Sequence, residues 1–239
     1  MFCDEMKRLS IMKKLTSYTI ALFSAFAAHT AFAESCVQPV SLTYDVSLKE
    51  KKGQIAIHRN GREMLRENLQ TGVVEYWYHS PAGPLKLIRY VDSEKHGIEY
   101  QAEDFRGNES EVWKDITLAV PTDSMKTMTL MSEEGSGCDV KEIYTSEGGK
   151  ELVWLPEKNI LISYKAPGVS WQIKDQNESV FKERLAVRDN YILIDYADIG
   201  DSEEDPFVKK MIRWGFVEHG ASGFYDEHGH AIQGHGHSH

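Results

Sequence analysis

The chain of 239 residues carries 27 Lys and Arg against 37 Asp and Glu, for a net charge of -10, with 41% hydrophobic and 27% charged residues. That balance is ordinary for a globular protein and excludes a wholly disordered one. The acidic excess argues against nucleic-acid partners and anionic membrane surfaces, both of which call for a basic face.

The first element in chain order is an export signal. Lys13 and Lys14 follow Met12, an apolar run covers 18–28, and Ala31-Phe32-Ala33 offers the small-x-small pattern that signal peptidase cleaves. The expectation is a signal peptide over 1–33, too short in its apolar part for the about 20 residues of a bilayer span. No later segment is long and apolar enough to span. The expected compartment is the bacterial periplasm, with secretion from a eukaryotic cell as the alternative. Cys3 falls within the signal, which leaves Cys36 and Cys138. Neither lies in C-x-x-C or beside a histidine, so a structural disulfide is expected in that oxidising setting. Closing a loop of this length is worth roughly 4–5 kcal/mol in the chain-entropy model.

From residue 34 onward most of the chain alternates with period two. Val40, Leu42, Tyr44, Val46 and Leu48 are apolar, with Ser41, Thr43, Asp45 and Ser47 between them, as in a half-buried strand. Further strands are predicted at 54–59, 73–79, 85–91, 97–103, 140–145, 151–155, 159–165, 169–174, 184–187 and 191–196. Asn60-Gly61 marks a hairpin, because both residue types tolerate positive φ. Gly148-Gly149 and Asp189-Asn190 are weaker turn signals, and 81–84 (Pro-Ala-Gly-Pro) forces a longer loop. Helices are predicted at 108–118, 122–133 and 203–214. The second rests on Met125, Met128 and Met131 recurring on one face, capped by Thr122 or Asp123, although Thr127 and Thr129 would also suit a strand. The third would be capped by Asp201 or Ser202, carry Pro206 in its first turn, and face the core with Phe207, Met211 and Trp214.

About ten strands with hairpin turns and two or three helices define an α+β fold dominated by antiparallel sheet. An apolar sheet face must be covered or curled upon itself, so a strongly curved sheet or open half-barrel is expected over 34–216, with helices against its concave side. Beyond 217 Gly, His and acidic residues replace the core pattern, and 217–239 reads as a flexible His-rich tail.

The strand run from Val40 to Tyr196, with Trp77, Trp113, Trp154 and Trp171 among its aromatics, resembles the periplasmic lipoprotein carriers LolA and LolB and the sensor domain of RseB. It does so by architecture and shares no motif with them. The resemblance implies an open half-barrel whose apolar cavity receives acyl chains, and hence a lipid or lipoprotein partner.

Six of the ten histidines lie in the last 21 residues: His219, His228, His230, His235, His237 and His239. Glycines separate two of these pairs, and neutral imidazole is the common ligand of zinc, copper and nickel. The spacing does not match a rigid catalytic site. The tail is therefore either a metal-binding segment or a solvated end. Asp198, Asp201, Glu203, Glu204 and Asp205 lack a calcium-loop pattern and read as the acidic start of a helix. His58, His79 and His96 read as strand-surface histidines, and an enzyme would need one of them to meet a carboxylate in a cleft. Asn108-Glu109-Ser110 and Asn177-Glu178-Ser179 are sequons, relevant only in a eukaryotic secretory pathway. Nucleophile, zinc-protease, phosphate-loop and dinucleotide signatures are absent from the sequence. The leading expectation is an exported non-enzymatic binding protein that holds an apolar ligand or a protein partner. Trp77, Trp154 and Trp171 are its candidate pocket residues. Metal handling by the tail is the alternative, and an unrecognised enzyme the third.

Overall fold

The computed structural model of the chain describes residues 35–81, 83–104, 109–118, 125–199 and 204–214. The predicted signal peptide and the tail, with its six histidines, lie outside the described residues. By contacts the chain divides into Met1–Ser35 and Cys36–His239, and the fold below is that of the second unit.

Among the described residues twelve strands form one sheet. β1 (Val40–Leu48), β2 (Lys51–Asn60), β3 (Glu63–Asn68), β4 (Val73–His79), β5 (Leu85–Val91) and β6 (His96–Tyr100) make one antiparallel meander. β7 (Thr129–Glu134), β8 (Lys141–Thr145), β9 (Glu151–Leu155), β10 (Ile160–Ala166) and β11 (Val169–Glu178) make a second, and β11 joins β1. β12 (Ile192–Asp195) adds to β6 as the one parallel pair among the described residues. The order β12-β6-β5-β4-β3-β2-β1-β11-β10-β9-β8-β7 leaves β12 and β7 as open edges.

The sheet curls hard toward one face. On a flat sheet β2 and β10 would stand three strand spacings apart, about 14 Å. Yet Arg59 of β2 donates from Nη1 to the Asn159 carbonyl at 2.5 Å and from Nη2 to the Lys158 carbonyl at 3.1 Å, both in the turn before β10. The Tyr44 hydroxyl of β1 likewise reaches the Leu161 carbonyl of β10 at 3.0 Å. Bulges at Thr43/Tyr44, Leu161/Ser163 and Leu130/Ser132 accentuate the bend. One apolar cluster fills the hollow side, with Leu42, Tyr44, Ile57, Met64, Leu87, Leu152 and Leu161 among its members. Cys36 and Cys138 form the expected disulfide, which ties the segment before β1 to the short turn between β7 and β8.

Three α-helices are described in full. α1 (Glu109–Leu118) and α3 (Pro206–Arg213) contribute Ile116, Phe207, Val208 and Met211 to the inner core. α2 (Phe181–Ala186) packs on the outer face instead, where Phe181 and Leu185 meet Leu65, Val74 and Tyr90.

Several predicted elements change. The segment 184–187 is not a strand: it belongs to α2 and the turn after it, because Phe181 and Leu185, one helical turn apart, meet the outer core together. Of the predicted helix 122–133, Met125 and Lys126 are helical, Thr129–Glu134 form β7 instead, and 122–124 lie outside the described residues. Met125 and Met128 do pack on the core, but Met131 is 63% exposed on a strand that, among the described residues, pairs with β8 alone. β3 was not predicted at all; both its faces are buried, so it shows no alternation. At the hairpin between β2 and β3 Asn60 stays in the ladder and Gly61 alone takes positive φ. α3 begins at Pro206 rather than 203. Its cap is Asp205, whose carboxylate accepts from the Phe207 and Val208 amides at 2.7 and 3.2 Å. Asp201 and Ser202 lie outside the described residues. Trp214 does not face the core; it is exposed, with the Lys210 ammonium 4.6 Å from its ring centroid.

Candidate ligand-binding face

Register decides which side chains share the inner face. Arg66 of β3 stands opposite Glu75 of β4, and Glu75 stands opposite Arg89 of β5, so the three form one row across three strands. Arg66 donates from Nε to Glu75 Oε2 at 2.9 Å, and its Nη2 lies 2.5 Å from the same oxygen. Trp77 Nε1 donates to Oε2 at 3.3 Å, and Arg89 Nη2 donates to Oε1 at 3.1 Å. Arg89 also donates to the Tyr100 hydroxyl at 3.4 Å and lies over that ring, 5.5 Å from its centroid. Burial alone would raise the Glu75 carboxyl; the two guanidiniums and the Trp77 and Arg66 hydrogen bonds outweigh it and hold it down at about 2.

Toward β1 and the second meander the inner face turns apolar. Ile57 and Leu42 continue the charged row and are fully packed. In the next rows Ile55, Tyr44 and Ile173 stand side by side, as do Val46, Trp171 and Tyr164. Ile55, Val46, Ile173, Trp171 and Tyr164 lie against the core yet are only partly buried. Trp171 meets Tyr44 edge-on, with centroids 5.7 Å apart. Trp77 and Trp154 are buried core residues, so of the three candidate tryptophans only Trp171 is partly exposed.

The helices of this face hold to the other end of the first meander. Glu109 of α1 accepts from the Leu85 amide at 2.7 Å, and Trp113 lies 5.5 Å from the His79 ring. Phe207 of α3 stacks on His96 at 4.7 Å, and Lys210 pairs with Glu94. His79 and His96 thus serve as packing surfaces for helices.

His58 is buried on the outer face, contrary to a surface position. Its Nδ1 lies 2.7 Å from Ser41 Oγ, and its Nε2 lies 3.8 Å from Glu67 Oε2. Ser41, His58 and Glu67 have the residue types of a nucleophilic triad, but α2 closes over them: the Val180 amide donates to Ser41 Oγ at 3.0 Å. Glu67 also binds Arg184 and, at 3.2 Å, Arg188, which in turn grips Asp92 at 2.9 and 2.7 Å. Burial pushes the Glu67 carboxyl up, while His58, Arg184 and Arg188 draw it down to about 2. The cluster fastens α2 to the sheet.

Among the described residues no group of three or more His, Cys, Asp or Glu could hold a metal ion. Of the acidic cluster, Asp198, Glu204 and Asp205 are described and Asp201 and Glu203 are not; Asp205 is spent on capping α3. Sequence reasoning missed Arg66 and Glu67 because it missed β3. The hairpin signal at Asn60-Gly61 could have found them, since a tight turn requires a partner strand directly after it.

No protein-family model matches the chain, and no curated protein matches it. Solved structures are similar at low identity. PNGF-II gives a TM-score of 0.41 at 10% identity, covering 66% of this chain and 32% of its own. An uncharacterized conserved protein from Thermus thermophilus gives 0.40 at 10% identity, covering 68% of this chain and 94% of its own. MucB, an RseB-family protein, gives 0.30 at 12% identity, covering 63% of this chain and 58% of its own. This chain therefore spans about a third of PNGF-II and little more than half of MucB. The likeness to MucB is weak and of architecture only, and it carries no site residue across.

Proposed function

We propose that the protein is an exported, non-enzymatic binding protein that holds an apolar ligand, a lipid or acyl group, against the inner face of its curved sheet. The observation that carries this reading is the band of Ile55, Val46, Ile173, Trp171 and Tyr164, packed against the core but only partly buried. Covering such surface is favourable by about 25 cal/mol per Å². The apolar run at 18–28, the Ala31-Phe32-Ala33 site and the Cys36–Cys138 bond favour the periplasm as its compartment. The enclosure of Ser41 and His58 behind α2 speaks for binding over catalysis. Native mass spectrometry of the untagged protein, taken from its own compartment without chelator, tests the reading. A lipid-sized adduct that Trp171→Ala depletes is expected. A bare mass, with tryptophan emission that ignores added palmitate, refutes it.

A second reading rests on His219, His228, His230, His235, His237 and His239: the tail collects zinc, copper or nickel, and the sheet is its scaffold. Deleting 217–239 would then leave the fold intact and abolish tight metal binding. Equal affinity in the truncated protein refutes it.

A further inference from the structure

Resting on the reading of the inner face as a ligand site, we propose that its ligand is an amphiphile with an oxyanion head, a carboxylate or phosphate, which Arg59 receives. Arg59 belongs to the hollow side: it stands opposite Val40 of β1 and Met64 of β3, both members of the inner core. It is 7% exposed, and among the described residues its guanidinium bonds only to the Asn159 and Lys158 carbonyls. Its Nε is buried and has no hydrogen-bond partner there. No carboxylate of the described residues pairs with it. Glu178 shares its row two strands away, but is exposed and makes no such pair. Burial draws the guanidinium pKa down, and the Tyr44 phenol is the group that opposes this. Holding two neutral carbonyls calls for donors and not for a charge. A buried cation is costly without an anion, and the free Nε belongs to the planar fork that matches an oxyanion.

Contacts lead from this guanidinium to the apolar band. The Tyr44 hydroxyl donates to the Leu161 carbonyl at 3.0 Å, two residues beyond the Asn159 carbonyl that Arg59 holds. The Tyr44 ring meets Trp171 edge-on, and Trp171 stands in register with Val46 and Tyr164 of the partly buried band. Beside these contacts the sheet is split. β10 and β11 are laddered only from Ser163 with Gln172 to Ala166 with Val169, so 160–162 of β10 and 173–178 of β11 do not pair with each other. Residues 174–178 are exposed along that split. Arg59 and Tyr44 bond to the chain at its β10 side, which sets the guanidinium beside the opening. A buried cation at one end and an apolar band at the other fit a head and a tail.

The test titrates the mature protein with palmitate, hexadecyl phosphate and hexadecanol, each below its micellar concentration, by tryptophan emission and native mass spectrometry. At least one of the two acids is expected to bind about tenfold or more tightly than the alcohol, as a charge-assisted hydrogen bond implies. The tighter acid names the head. Arg59→Gln should bring the acids to the level of the alcohol. Glu67→Gln, which loosens the outer face only, should keep the wild-type ratio. Should Arg59→Gln fail to fold, palmitate labelled with carbon-13 at its carboxyl and bound to the wild type decides. Its head is expected to stay ionised below the ordinary carboxyl range, and an ordinary or raised titration overturns the proposal. Alcohol binding equal to or tighter than that of both acids overturns the head assignment while the apolar reading stands. So does a ratio unmoved by Arg59→Gln, or lost equally in Glu67→Gln. Failure of all three to bind removes the apolar reading as well.

Discussion

Glu67→Gln is the sharpest probe of how the outer face is held. Glu67 is 2% exposed and answers to Arg184 and Arg188 together, the second of which is itself buried. Glutamine keeps the volume and removes the charge, so Arg188 is left with Asp92 alone and Arg184 with no acidic partner in contact. Breaking a buried pair from one side costs about 3–5 kcal/mol. An independent figure comes from the carboxyl itself. Its drop from the ordinary 4.5 to about 2 corresponds to roughly 3 kcal/mol at neutral pH. Because Asp92 still holds Arg188, the lower end, about 2–3 kcal/mol, is expected, or a fall of roughly 5–10 °C in Tm for a domain of this size. The sign with pH follows from the depressed folded value. The stabilisation is fully present above pH 4.5 and disappears as pH falls through 2, where the wild-type carboxyl is protonated too. Urea unfolding of wild type and variant from pH 7 downward should therefore show a gap that closes below pH 4.5. A variant within about 0.5 kcal/mol of wild type at pH 7, the range of ordinary surface substitutions, or a gap that does not shrink with acid, would refute the reasoning.

Other parts of the fold make independent predictions. Replacing Cys36 and Cys138 together by serine should cost about 4–5 kcal/mol, since the bond spans 102 residues; urea midpoints of the variant and of reduced wild type should agree, and a variant as stable as the oxidised protein contradicts this. Tyr44→Phe removes the bond to the Leu161 carbonyl that ties β1 to β10 and should cost about 1 kcal/mol, measured by the same unfolding; no loss would mean that the hydroxyl does not hold the curl. Gly97→Ala would place a methyl 2.8 Å from Leu193 Cδ2 and 2.9 Å from Tyr90 Cδ1. A loss of about 1–3 kcal/mol is expected from overpacking, with faster amide exchange in β12; unchanged exchange there would show that the edge strand absorbs the strain.

The elements legible in the sequence are those with one wet face and one dry face, or with turn chemistry at their ends. β4, β5 and β9 match their predicted spans because β-branched, aromatic and other apolar residues fill them and turns bound them. α1 and α3 match within a few residues. β3 fails the same test for a physical reason. Met64 and Leu65 are adjacent and both fully buried, one on each face, so period two disappears. β7 fails oppositely: all six of its residues are exposed, and the three-residue spacing of Met125, Met128 and Met131 looked helical. α2 spans only six residues, too short for its Phe181–Leu185 pair to stand out as a helical period.

The candidate site was hidden at a different level. Glu75 and Arg89 lay in correctly predicted strands, where a lone charge reads as solvent-facing. Only register places Arg66, Glu75 and Arg89 in one inward row and makes their charges neighbours. Register also explains why neighbours on β3 do unlike work. Arg66 and Glu67 are adjacent in sequence, so the pleat sends them to opposite faces. Arg66 joins the open inner row, while Glu67 is sealed under α2 by Arg184 and Arg188. A slip of one residue in β3 would exchange them, setting an acid in the hollow and a cation under α2 against Arg184 and Arg188. The two-residue turn at Gly61-Arg62 fixes that register by pairing Asn60 with Glu63. The sign of the inner face is thus set by a tight turn more than a strand's width away from it.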